Sequence, residues 1–131
     1  MNRQRLTVAA VALAMAAVPA AGLFASQAHA QGGVAELFQK KCATCHGPTA
    51  TAAPNLRGPA LNGVFGKKIA SQKGYAYSDG LKAKSSMTWT AANLDAYLAK
   101  PKDFAPGTKM IPSVSDPAQR KQLIDHMKTL K

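Results

Sequence analysis

The 131-residue chain has only two cysteines, and only six acidic residues against 17 lysines and arginines. It contains no alternating apolar–polar run that reads as a strand, no internal repeat and no block of five or more basic residues. Beyond residue 30 no apolar stretch is long enough to span a bilayer. Each absence excludes something. Two cysteines fall short of the four cysteine-type ligands of an iron–sulfur cluster. A tetrahedral zinc site commonly takes two C-x-x-C pairs, or one pair with two histidines, and here the only histidines after residue 30 are His46 and His126. A thioredoxin-like redox pair sits beside a βαβ unit, which needs strands. Scattered lysines, together with an N-terminal export signal, argue against a nucleic-acid partner.

The first thirty residues read as a secretory signal peptide. Arg3 and Arg5 open it, an uncharged apolar run extends from Leu6 to Ala30, and Ala28-His29-Ala30 closes it with a small-x-small triplet. Cleavage after Ala30 leaves one domain, residues 31–131, in an oxidising periplasmic compartment, with no membrane span. Retention of the leader as an anchor is the competing reading. The two leader arginines supply +2 of the formal net charge of +11, so the domain keeps +9. A small, strongly basic exported domain suits an acidic protein partner first and a membrane surface second.

Little of the domain is periodic. Val34, Leu37 and Phe38 mark one face of a short first helix, with Lys40 and Lys41 at its C-terminal end. "TAANLDAYLAKP" is a second helix, capped by Thr90, buried through Leu94, Tyr97 and Leu98 and ended by Pro101. "DPAQRKQLIDHMKTLK" is the last, with Asp116 as cap, Pro117 at its first position, and Leu123, Ile124, Met127 and Leu130 as its buried stripe. From Gly47 to about Thr88 the chain reads as loop rich in proline and glycine, and "DFAPGTKMIPSVS" reads as loop again. Forty irregular residues in a compact domain need something to fold around. Three short helices also bury too little apolar surface to be stable unaided.

The cysteines answer that deficit. Cys42 and Cys45 stand in "CATCH", the C-x-x-C-H signature of covalent c-type haem attachment. Two thiols two residues apart can each add to a vinyl group on one edge of the porphyrin, and His46 follows as an axial ligand. A disulfide closing so short a loop would stabilise little. Among the remaining methionines, Met127 belongs to the last helix's stripe. Met87 lies near Trp89 and could pack or ligate. Met110 ends "PGTKM", presented from a turn far from the cysteines, as a ligand from the opposite face should be. His/Met ligation is the electron-transfer arrangement, and it leaves no open position on iron for catalysis.

The ordered motifs "CATCH", "GPALNGVFGKK", "GYAYSDG", "MTWT", "NLDAYLAKP", "PGTKM" and "RKQLIDHMKTL" resemble the class I, mitochondrial-type cytochrome c family, including its bacterial periplasmic members. The resemblance implies an all-α fold of three to five short helices with long loops wrapped around one haem c. It implies that the Pro59 carbonyl orients His46, with Pro54 as competitor. Tyr77 and Trp89 are the implied donors to a buried haem propionate, and Tyr97 the implied neighbour of the methionine sulfur. Phe38 and Leu123 are the implied contact between first and last helices. Lys41, Lys102 and Lys109 match lysines around the exposed haem edge, where an acidic redox protein docks. Val34 replaces a glycine at the helix crossing, Lys67 an arginine near the propionates and His126 a packing aromatic, and the Tyr77–Trp89 spacing is one residue longer than usual. The expected function is that of a monomeric periplasmic one-electron carrier, not an enzyme, shuttling between membrane or soluble redox complexes. A dedicated haem subunit of a periplasmic dehydrogenase, and a haem sensor or weak peroxidase with a labile methionine, are the alternatives.

Overall fold

The computed structural model describes residues 33–47 and 56–131. The segment expected to be a signal peptide, its expected cleavage point and Pro54 lie outside the described residues. Helices and loops make up the described chain, and its nearest approach to sheet is one isolated antiparallel bridge, Lys68 to Thr88. Among these residues no helix is long and apolar enough to cross a membrane.

Helix α1 is one continuous helical run, 33–46, and does not stop at Lys40 and Lys41 as the charge pattern suggested. It passes through a π-helical turn at Gln39–Ala43 and ends in an α-helical turn at Thr44–His46. A π turn holds more residues per turn than an α turn. It therefore keeps both Cys42 and Ala43 buried on the side that Phe38 begins. Lys40 points outward and pairs with Glu36 at 2.7 Å, a solvent-exposed i,i+4 contact that water screens. Gly47, at φ 90°, turns the chain out of the helix.

The middle of the chain is irregular but well tied. Trp89 N–H donates to Lys67 O at 2.8 Å, Gly66 N–H to Trp89 O at 2.9 Å and Ile69 N–H to Met87 O at 3.0 Å. These bonds bury Ile69 and fix Trp89 against the core. One helix lies where the sequence reads as loop: α2, Asp79–Lys82, capped by the Ser78 hydroxyl accepting from Leu81 N–H. The capping serine is the only local signal, because one turn is too short to show a period. A Cβ on Gly80 would collide with the Pro106 carbonyl, so α2 lies directly against the turn that precedes Met110.

Helix α3, Ala91–Ala99, is capped by Thr90 and buries Leu94, Tyr97 and Leu98. Pro101 ends it, yet the next segment is not loop: α4, Pro101–Phe104, starts on that proline. Lys100, forced off helical angles by the neighbouring ring, is the shared corner (φ −144°, ψ 79°). Phe104 stacks on Trp89 at 5.9 Å between ring centroids. Helix α5, Pro117–Thr129, begins with Asp116 accepting from Ala118 N–H at 2.8 Å and buries Leu123, Ile124 and Met127. Phe38 and Leu123, 2% and 0% exposed, belong to one core cluster. The His126 ring packs 4.9 Å from Phe38, where the resemblance implies a packing aromatic.

Candidate functional site

The end of α1, the loop after it, α3 and the loop after α4 enclose a cavity of about 260 Å³. Cys42, Cys45, His46, Pro59, Tyr77, Trp89, Tyr97 and Met110 all line it. Leu61, Leu81, Leu94 and Leu98 make the rest of the wall largely apolar. Met127 contributes from the core, at 3% exposure. Met87 does not line the cavity and is 36% exposed.

The histidine is held by backbone. Its Nδ1 lies 2.7 Å from the Pro59 carbonyl oxygen. That oxygen can only accept, so Nδ1 carries the proton and the Nε2 lone pair is free to ligate. The Gly58 N–H donates to Cys45 O at 2.9 Å, drawing the Gly58-Pro59 segment across the imidazole. A Cβ on Gly58 would stand 2.5 Å from His46 Cε1, which is why this position lacks a side chain. Burial pushes the His46 pKa below its ordinary value, against the opposing Pro59 bond, so the ring is neutral near pH 7. Burial, with Cys45 nearby, pushes the Cys42 thiol up to about 11. Both thiols are free.

Met110 is reached through an unassigned threonine. The Tyr97 hydroxyl lies 2.7 Å from Thr108 Oγ1, which also accepts the Met110 N–H at 3.3 Å. Thr108 Oγ1 thus relays between the Tyr97 hydroxyl and the Met110 backbone N–H. The two implied carboxylate donors differ. Tyr77 is half-buried, and burial raises its pKa while the nearby Gln72 backbone opposes the rise. The Trp89 indole N–H makes no hydrogen bond among the described residues, though the residue is 7% exposed. Lys67, also in the wall, has only long contacts of 3.4 Å to Asn62 O and Gln72 Oε1.

Cations surround the cavity. Lys41, Arg57, Lys67, Lys68 and Lys109 line it, and no acidic side chain does among the described residues. Of the three matched lysines, Lys41 and Lys109 are at the cavity, whereas Lys102 lies on α4 outside its lining. Lys109 also donates to Ala76 O at 2.6 Å, and its ammonium lies 5.6 Å from the Tyr75 ring centroid. Tyr75, which the sequence reading passed over beside Tyr77, donates to Arg57 O at 2.9 Å and meets the Tyr77 ring edge-on. Its alternation with Tyr77 in "GYAYS" was the available signal.

These residues fit a haem. The wall is apolar, two free thiols and a neutral imidazole come from one helix end, a thioether comes from a separate loop, and the Trp89 indole N–H has no acceptor among the described residues. They do not fit zinc: among the described residues no three His, Cys, Asp or Glu side chains converge on one point.

A small all-α protein with a C-x-x-C-H segment entering an apolar, cation-rimmed cavity is a c-type electron carrier. The cytochrome c family model matches residues 33–131, and the chain belongs to the class I cytochrome c family. It is 39% identical to cytochrome c2 of Rhodomicrobium vannielii over 121 residues, 90% of this chain and 95% of that one. Among solved structures, cytochrome cH from Methylobacterium extorquens superposes with a TM-score of 0.63 at 41% identity, covering 74% of this chain and 96% of that one. Ferricytochrome c2 from Rhodopseudomonas palustris gives 0.65 at 32% identity, covering 76% and 97%. The protein is a small electron-transport cytochrome with one covalently attached haem c.

Proposed function

We propose that the protein is a periplasmic one-electron shuttle whose haem iron is held by His46 and Met110. Cys42 and Cys45 form the two thioethers, Pro59 orients the histidine, and the Trp89 N–H receives a propionate. Bound haem supplies a one-electron couple. The protein's part is to present the His46 imidazole and the Met110 thioether to the cavity and to exclude water, and a thioether ligand would favour the reduced state. With both positions filled, iron has no site for substrate, which makes the protein a carrier and not an enzyme.

The observation that carries this reading is the contrast between the two loop methionines. Met110 lines the cavity that His46 enters, with its backbone tied to Thr108, whereas Met87 stands outside. Partner choice follows from charge. Cations without acids line the cavity, and five of the six acidic residues are engaged elsewhere in ion pairs. An acidic redox protein is therefore attracted to the edge bearing Lys41 and Lys109, with Lys102 to one side, and salt weakens that attraction. The leader is removed after Ala30 and the domain works as a soluble monomer. Arg3, Arg5 and the small-x-small ending support export.

The test is the absorption spectrum of purified protein. Oxidised protein should show the weak far-red sulfur-to-iron band, and Met110→Ala should abolish it and admit azide. If the resting wild-type iron already binds azide and carbon monoxide readily, the sensor or peroxidase reading replaces the shuttle.

A further inference from the structure

The loop that presents Met110, 105–116, is anchored at both ends to helix α3. On its near side the anchor is the Tyr97–Thr108 hydroxyl pair. Residues 111–113 make no hydrogen bond among the described residues, and Ile111 is 78% exposed. The far side is closed by one side chain from α5. Arg120 Nη1 donates to Val114 O at 3.0 Å and to Ser115 O at 2.8 Å. Its Nε donates to Asp95 Oδ1 at 2.7 Å, while Nη2 lies 3.5 Å from Asp95 Oδ2. Asp95 lies on α3, so one guanidinium joins α3, α5 and the end of the loop. Its side chain is only 12% exposed, unlike the solvent-facing lysines of the other ion pairs.

We propose that Arg120 is a positioning residue for the sixth iron ligand, locking the C-terminal end of the loop onto α3 and thereby keeping Met110 in the cavity. The proposal rests on the reading of Met110 as axial ligand. Only a guanidinium has donors splayed widely enough to serve a carboxylate and two carbonyls together, since a lysine ammonium is a point charge on a flexible stem. Without Arg120 the far side keeps one backbone bond, Val114 N–H to Leu98 O at 2.8 Å, and two carbonyls lose their donor. The loop then opens more often as a local unit while the helices stay packed. An added ligand competes for iron only when Met110 has left, so its apparent affinity reports how often the loop opens.

The experiment titrates azide into the oxidised holoprotein of wild type, Arg120→Lys, Arg120→Gln and Ile124→Val. The last thins the core on the same helix and removes no hydrogen bond. Both Arg120 variants should bind azide about tenfold more tightly, the change one charge-assisted hydrogen bond carries, with a weakened far-red band. Ile124→Val, compared at equal distance from its denaturant midpoint, should bind azide as wild type does. Azide affinity that follows the unfolding midpoint alike in all three variants would reduce Arg120 to a general stabiliser and overturn the proposal. If the Arg120 variants do not accumulate, Asp95→Asn, which keeps both carbonyl contacts but loses the carboxylate that orients the fork, should shift azide affinity in the same direction. No shift there also overturns it. A wild type that lacks the far-red band and binds azide freely overturns the Met110 assignment itself, and that failure is visible before any variant is made.

Discussion

Replacing Tyr97 with Phe tests whether the knot between α3 and the Met110 loop acts as a unit. The substitution deletes one oxygen whose partner, Thr108 Oγ1, sits 2.7 Å away, and both residues are buried. Thr108 keeps its longer bond from Met110 N–H, 3.3 Å. The cost should be about 1–1.5 kcal/mol, the net worth of one neutral hydrogen bond. For a domain near 100 residues this lowers Tm by roughly 4–8 °C per kcal/mol. Thr108→Val removes both bonds and strands the Tyr97 hydroxyl in a dry pocket, so it should cost more, about 2–3 kcal/mol. Once Thr108 is valine, the stranded tyrosine hydroxyl is itself a cost, and removing it should restore stability. The double variant should therefore be less destabilised than Thr108→Val, by about 1 kcal/mol, giving a coupling energy of about 2 kcal/mol. Guanidinium unfolding of the oxidised holoprotein, followed by Trp89 fluorescence, gives all four stabilities, and the far-red band reports the loop in parallel. Additive losses would show that the two hydroxyls act independently and would refute the relay.

Gly58→Ala places a methyl group against the His46 ring and should lower the yield of folded holoprotein, with a stability loss of about 1–3 kcal/mol in the fraction that does fold, measured by denaturant titration. Met87→Ala removes an exposed side chain outside the cavity, so both far-red band and stability should hold within about 0.5 kcal/mol. Lys41→Glu should slow electron exchange with an acidic partner at low salt more than Lys102→Glu does, because Lys41 lines the cavity, and both differences should vanish at high ionic strength in stopped-flow measurements. Asp125, held by Lys121 and Lys128 down to a pKa of about 2 from an ordinary 3.8, contributes stability above 3.8 that is lost as pH falls toward 2. Asp125→Asn should therefore flatten the acid side of a stability-versus-pH curve and lower its neutral side slightly, since the group is fully exposed and water screens its pairs.

What the sequence by itself determined is the chemistry written in short spacings. The C-x-x-C-H segment, the Pro-Gly turn before Met110 and the caps Thr90 and Asp116 are local patterns, because thiol addition, turn geometry and helix capping each depend on residues within a few positions of one another. Helices α3 and α5 were legible for the same reason, since their buried stripes repeat over two turns or more. Folding decided everything that depends on distance across the molecule. Met87 and Met110 are the same side chain near similar turns, and only packing puts one outside the cavity and the other in its wall. Pro59 stands thirteen residues after His46, and its carbonyl becomes the acceptor that orients the imidazole only because Gly58 lets the backbone cross the ring. The single-turn helices α2 and α4 are too short to show a period, and the π turn in α1 shifts burial without any residue that announces it. Arg120 reads in sequence as one more surface cation on a basic protein. Its role exists only where Asp95 and the carbonyls of Val114 and Ser115 have been brought around it, because a guanidinium acquires direction from the acceptors that meet it.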